Sequence, residues 1–236
     1  MPADEPFYDE LLAAGVRAAC QAGAKLQALD LLYFAGAGRL ACVRELLAAG
    51  APVKRITCGQ LVDCGVGGTS YRASYRACYS EEEEEEDFDS WSPAWQACAR
   101  EMAASGLRLR ASKGEDPLIE QAAVRSGGGH LEFLVSIGAD VDERDERGGT
   151  ALMSASRMGD SELVGRLLAL GADPWARDKN GRDARASAAH NDQTHPPRQG
   201  EVSAVAEFDR AMAKWELAQI GSSARAAPAG PRAPRL

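Results

Sequence analysis

Residues 145–173 read DERGGTALMSASRMGDSELVGRLLALGAD. Leu163, Val164, Leu167 and Leu168 recur at i, i+1, i+4 and i+5, which sets one apolar stripe along a helix. Gly171 follows that stripe, where a left-handed residue can end the helix. Working outward, Gly138-Ala139-Asp140 returns as Gly171-Ala172-Asp173, 33 residues later. Asp145 and Gly148 return as Asp178 and Gly181 at the same interval. Leu131 with Leu134 and Val135 precedes Gly138, and Cys42/Val43 with Leu46/Leu47 precedes Gly50-Ala51 in the same way. A fixed period of this length means one supersecondary unit stacked on copies of itself, because a single unit cannot bury its apolar face alone.

Composition narrows the function classes. The 236 residues are 45% hydrophobic and 26% charged, which suits a folded chain. The longest nearly uncharged apolar stretch, Leu31 to Gly38, is far shorter than the roughly 18 to 20 residues of a membrane span. No membrane association is expected. The acidic start MPADEPFYDE resembles neither a secretory signal nor an Arg-rich transit peptide, so a cytoplasmic or nuclear location with six reduced cysteines is expected. The net charge is -8, and the last residues from Ser222 hold Arg225, Arg232 and Arg235 with no acid, leaving -11 on the rest. Such a chain repels a phosphate backbone, so no nucleic-acid partner is expected.

The 145–173 stretch resembles the ankyrin repeat, a unit of about 33 residues made of a β-turn and two helices. It matches that family's pattern at Asp145, Gly148, Thr150, Leu152, Ala155, Gly159, Val164, Leu167, Leu168, Gly171, Ala172 and Asp173. The resemblance implies an all-α helix-turn-helix repeat solenoid with short β-turn or hairpin tips and terminal capping helices. Five units follow from the ruler: about 24–56, 64–111, 112–144, 145–177 and a degenerate 178–220 that also serves as C-terminal cap. The second opens at Gly67-Gly68-Thr69 and holds 16 extra residues, including the acidic run Glu81 to Asp87 within an insertion near 79–90. The third opens at Asp116-Pro117-Leu118, and in the fifth a polar loop from Asp192 to Gly200 delays the second helix. Residues 1–23 form an N-terminal capping helix with its stripe at Tyr8, Leu11, Leu12, Val16 and Ala19. Val205, Phe208, Met212, Trp215 and Ile220 or Gln219 give the matching C-terminal stripe. Residues 221–236 read as a disordered Ala/Pro/Arg tail.

Few residues offer chemistry. Cys20, Cys42, Cys58, Cys64, Cys78 and Cys98 include no C-x-x-C pair, and Cys42 and Cys98 fall on apolar helix positions as small core residues. No metal and no cofactor is expected. His130 falls at an apolar position of the third unit and reads as a buried structural histidine, while His190 and His195 flank the polar loop. There is no G-x-S-x-G, H-E-x-x-H or P-loop sequence, and Gly127-Gly128-Gly129 lacks the preceding strand that a phosphate cradle needs. No catalytic residue is assigned. The family's His after the T-P-L leucine is Met153 here.

The resemblance implies non-catalytic protein recognition through the tips and inner helices, by a monomeric adaptor. The matching positions are Arg144, Glu146, Arg147 and Gly149, then Trp175, Arg177, Lys179, Asn180 and Arg182, with Ser154, Arg157 and Met158 on the adjacent inner helix. Trp and Arg dominate binding hot spots, and the basic 175–182 tip suits an acidic segment of a protein partner. The alternative is a substrate-recognition subunit of a larger enzyme such as a ubiquitin ligase; an enzyme with an unrecognised site is a remote third. The Glu81 to Asp87 run reads as a solvated loop or, with the flanking Trp91, as a patch for a basic partner. The tail's Pro228 to Pro234 segment fits P-x-x-P, a weak pattern.

Overall fold

A computed structural model describes residues 5–65, 92–126, 130–198 and 202–225. Among them are eleven α-helices and no strand, so the fold is all-α, an ankyrin-like repeat of helix pairs. The chain divides into two compact units, Met1–Ala151 and Leu152–Leu236. In order the helices are α1 Glu5–Gln21, α2 Ala28–Gly36, α3 Leu40–Ala48, α4 Cys58–Gly65, α5 Pro93–Ala104, α6 Leu118–Ser126, α7 Leu131–Ser136, α8 Ala151–Met158, α9 Ser161–Ala169, α10 Ala184–Thr194 and α11 Ala204–Arg225. Within the first unit, α4 packs between α2 and α6, while α3 packs on α5 and on α1. Within the second, α11 packs on both α9 and α10.

The α8–α9 pair shows why the quoted stretch folds as it does. Thr150 is buried directly before α8, and Asp160 caps α9 by accepting from the Leu163 N–H at 3.0 Å. Leu163, Val164, Leu167 and Leu168 are all buried, and Met153, standing where the family has histidine, is buried too. Gly171 takes φ +94°, which lets its N–H and that of Ala172 close on the carbonyls of Leu168 and Leu167. The same pair of bonds ends α3 at Gly50-Ala51, α5 at Gly106-Leu107 and α7 at Gly138-Ala139. The third pair is shorter at this point. His130 precedes α7 without a side-chain cap bond, and α7 runs six residues where α9 runs nine. As expected of an apolar position, His130 is buried.

Four expectations need correction. The second helix pair opens at Thr57, twelve residues before Thr69. Thr57 Oγ1 accepts from the Gln60 N–H (3.2 Å) and Gln60 Oε1 accepts from the Thr57 N–H (3.0 Å), a reciprocal capping box that starts α4. The 33-residue ruler misses this because the connection from Gly50 to Thr57 is short, carrying only a 3-10 turn at Val53–Arg55. Ser92 then caps α5 by accepting from the Trp95 N–H, with Pro93 at the first helical position. Thr57 to Ser92 is 35 residues where Thr150 to Asp160 is 10, so the insertion adds 25 residues between the two helices of the pair, not 16.

The N-terminal helix keeps Leu12 and Val16 of the expected stripe on its inner side but not Leu11 or Ala19, and the Tyr8 side chain lies outside those described. Ala13 is buried with Asp9, Leu12, Val16 and Cys20 partly covered, whereas Leu11 is 60% exposed and Ala19 is exposed. Ion pairs set that rotation: Arg39 holds Asp9 at 2.5 Å, and Arg17 holds Glu45. In the last pair, Asp192 belongs to α10 rather than to a loop, because its carboxylate receives the N–H groups of Ala204 and Val205 at 2.8 and 3.1 Å and so caps α11 from the neighbouring helix. Finally, α11 continues to Arg225, past the expected start of the tail at 221, since Ala224 and Arg225 are good helix formers. Phe208 and Met212 are buried in it and Val205 and Trp215 partly so, while Gln219 is exposed. The acidic run, Thr69, Cys78, Trp91, Gly127–Gly129 and residues 226–236 lie outside the described residues.

Candidate functional site

Two tips carry most of the candidate residues, and each is built from one aspartate. In the first, Asp145 N–H donates to the Gly149 carbonyl (2.9 Å) and Gly148 N–H to the Asp145 carbonyl (3.0 Å). Asp145 Oδ1 then receives the N–H groups of Arg147 (2.8 Å) and Gly149 (2.6 Å). A short polar side chain that bonds its own backbone two residues on is what favours aspartate in a turn. In the second tip, Asp178 N–H donates to the Arg182 carbonyl (2.9 Å), and Asp178 Oδ1 receives Asn180 and Arg182 N–H, both at 2.8 Å. Gly148 and Gly181 sit at φ +81° and +76°, a conformation that a side chain would strain.

The arginines before these aspartates serve the turn. Arg144 Nη1 donates to the Gly148 carbonyl at 3.0 Å, and Arg177 Nη1 to the Gly181 carbonyl at 3.1 Å. Arg182 is engaged as well, its Nε and Nη2 lying 3.0 and 2.9 Å from Asp178 Oδ2. Burial pulls the Asp178 carboxyl upward, but the N–H and guanidinium of Arg182 and the bonds from Asn180 outweigh it and hold the group below its ordinary value. Three of the expected contact residues therefore have structural work at the tips, which the sequence pattern did not reveal. The D-x-x-G spacing was the available signal for the aspartates; for the arginines none was visible.

Upstream of each turn a second aspartate repeats the device. Asp140 Oδ1 accepts from the Asp142 N–H (3.1 Å), and Asp173 Oδ1 accepts from the Trp175 N–H (2.9 Å). Trp175 is thus held at the backbone while its side chain stands out, and the residue is 70% exposed. Lys179 is exposed on the same tip. On the first tip Arg144, Glu146 and Arg147 are exposed, Arg144 while donating to Gly148. On α8, Arg157 and Met158 are exposed and Ser154 is partly covered.

The thiols are poor nucleophiles here. Burial pushes Cys58 and Cys98 up to about 12 and Cys64 to about 11, the last despite a hydrogen bond from the Trp95 indole N–H at 3.4 Å. Cys42 and Cys98 are buried, as their apolar positions imply. Among the described residues no three His, Cys, Asp or Glu side chains are grouped to hold a metal ion. No described helix is long and apolar enough to cross a membrane. His190 lies in α10 and His195 follows its last turn; both are exposed.

The repeat geometry and its turns define the class of module. A family model described as the ankyrin repeat matches residues 147–179, from the middle of the first tip to the middle of the second. No curated protein matches the chain. Ankyrin repeats are protein–protein interaction modules and are typically non-catalytic.

Proposed function

We propose that this protein is a non-catalytic, monomeric adaptor that binds an acidic segment of a partner protein through the 173–182 tip, in the cytoplasm or nucleus. The observation that carries this reading is Trp175, a large aromatic on a tightly bonded turn, 70% exposed with no role in the turn's own hydrogen bonding beyond its backbone N–H. A rigid backbone under an aromatic contact lowers the entropy lost on binding. Lys179 and Arg177 supply positive charge for acidic groups, offset in part by the exposed Asp173, while Arg182 is paired with Asp178. Tryptophan and arginine are the side chains most often found at the energetic centre of an interface.

Affinity capture with quantitative mass spectrometry tests this directly. Trp175→Ala combined with Lys179→Ala removes the exposed ring and one cation and keeps Asp173 and Asp178, whose carboxylates bond the turn. The bound partners are expected to weaken by about thirtyfold or more, as for loss of a hot-spot residue, at an unchanged melting temperature. Glu146→Ala on the other tip is expected to retain them. Equal recovery by the double variant and the parent would move the site away from this tip.

A further inference from the structure

We infer that α1 is a detachable cover on the first unit, opening from α3 in a salt-sensitive local transition that uncovers Cys42 while the helices beneath stay folded. Three observations carry this. First, among the α1 side chains described, those of residues 9–21, only Ala13 is fully buried, and Leu11 faces solvent. Second, its middle holds Gly15, around which a Cβ would meet nothing within 4 Å. That glycine answers no packing need, yet it weakens the helix as any interior glycine does. Third, the specific links are ionic. Arg17 of α1 pairs with Glu45 of α3, and Asp9 of α1 accepts from Arg39 at the start of α3 (2.5 Å).

Arg39, Cys42 and Glu45 follow one another at three-residue spacing, so the ion pairs flank the strip of α3 on which Cys42 lies. Cys42 is 0% exposed on α3, the helix that α1 packs on, and lies between Arg39 and Glu45, which both pair with α1. Burial first and the nearby Asp9 carboxylate second push its thiol up. The other terminal helix is built differently. Ala204, Phe208, Ala211 and Met212 of α11 are buried, Asp192 caps its first turn, and the Trp215 indole N–H donates to the Leu168 carbonyl at 3.1 Å. Exposed ion pairs weaken as salt screens them, whereas apolar burial does not. Local openings draw on elements with the least buried area.

The test uses the full chain with iodoacetamide, reading each cysteine by peptide mass mapping at 0.05 and 1 M sodium chloride (chosen about the range where the screening length falls from over 10 to roughly 3 Å). Cys58 of α4, 1% exposed and with Glu115, Glu143 and Arg108 as the charges around its thiol, is the internal reference. Cys42 is expected to react faster than Cys58 and to gain roughly fivefold in rate at high salt, the scale of one exposed and one half-buried ion pair. Asp9→Ala with Arg17→Ala should reproduce that gain at low salt and abolish the salt response. Gly15→Ala, which strengthens α1 without touching α3, should slow Cys42 and leave Cys58 unchanged. Hydrogen exchange should show residues 5–21 less protected than 204–215. Equal rates for Cys42 and Cys58, or a Cys42 rate indifferent to salt and to these variants, overturns the inference.

Discussion

Residues 140–149 and 173–182 are the same turn built twice, and the comparison separates framework from display. Asp140, Arg144, Asp145 and Gly148 recur as Asp173, Arg177, Asp178 and Gly181, and each makes the same bonds to the same backbone groups. Other positions differ between the tips, and two of those in the second, Asn180 and Arg182, add side-chain bonds to Asp178. Asp142 becomes Trp175, Glu146 becomes Lys179, Arg147 becomes Asn180 and Gly149 becomes Arg182. Four shared positions fix the backbone, and Trp175 and Lys179 change the aromatic and charged surface on it. Glu143 adds a third kind of difference. The equivalent position in the second tip is a buried alanine, Ala176, and burial accordingly pushes the Glu143 carboxyl above its ordinary value.

The largest effect is expected where both tips depend on the helices behind them. Leu168 is buried behind the second tip, so Leu168→Ala should destabilise by about 2 to 5 kcal/mol in chemical denaturation. The equivalent Val135 is half-buried, and Val135→Ala should do clearly less. Equal losses would mean that the two pairs are not built on one pattern.

Next in size are the turn aspartates. Asp145→Ala and Asp178→Ala each strip two backbone N–H groups of their acceptor, and each should lower stability by about 1 to 3 kcal/mol. The second should do more, because Arg182 also loses its partner. The pH dependence follows from the lowered Asp178 carboxyl. A group whose value falls on folding stabilises the protein above its unfolded value, near 3.9, and loses that contribution as pH drops through the lower folded one. Asp178→Asn should therefore flatten the acid limb of a stability–pH curve; an unchanged limb would remove the aspartate from the account.

The smallest effect is the sharpest test of the division. Trp175→Asp, which copies the first tip, should change stability by less than about 0.5 kcal/mol, because nothing in the turn uses the ring. A loss of several degrees in melting temperature would make Trp175 part of the framework.

Most of the helix pairs were legible because their determinants are local. The Leu163-Val164/Leu167-Leu168 stripe and the glycine after it specify a helix and its end without reference to anything distant. The errors arose where a distant partner decides. The inward face of α1 depends on Arg39 and Glu45, and the cap of α11 is supplied by Asp192, neither of which an apolar stripe reveals. The opening at Thr57 was legible, since Thr57-x-x-Gln60 is a capping-box spacing, but the fixed period drew attention past it. At the candidate site, exposure of Trp175 followed from its having no core to enter. The commitment of Arg144, Arg177 and Arg182 to their own turns did not, because a side chain's hydrogen bond to a carbonyl four residues away leaves no mark in composition or period.

The second tip also carries a chemical clock. Asn180 precedes Gly181, and in an unfolded chain such a pair ages by attack of the glycine nitrogen on the asparagine side-chain carbonyl, expelling ammonia through a succinimide. Here the Gly181 N–H is committed to the Asp178 carbonyl at 3.0 Å and Asn180 Nδ2 leans toward Asp178 Oδ2 at 3.4 Å, so nitrogen and amide are both held by the same aspartate. Deamidation of Asn180 thus requires the turn to open, and its rate in stored protein reports how often this surface comes apart. Asp178→Ala removes the side-chain half of that hold, freeing the Asn180 amide while the residue 178 carbonyl stays. It should shorten the lifetime of Asn180, and each ageing event would place a new negative charge beside Trp175 and Lys179.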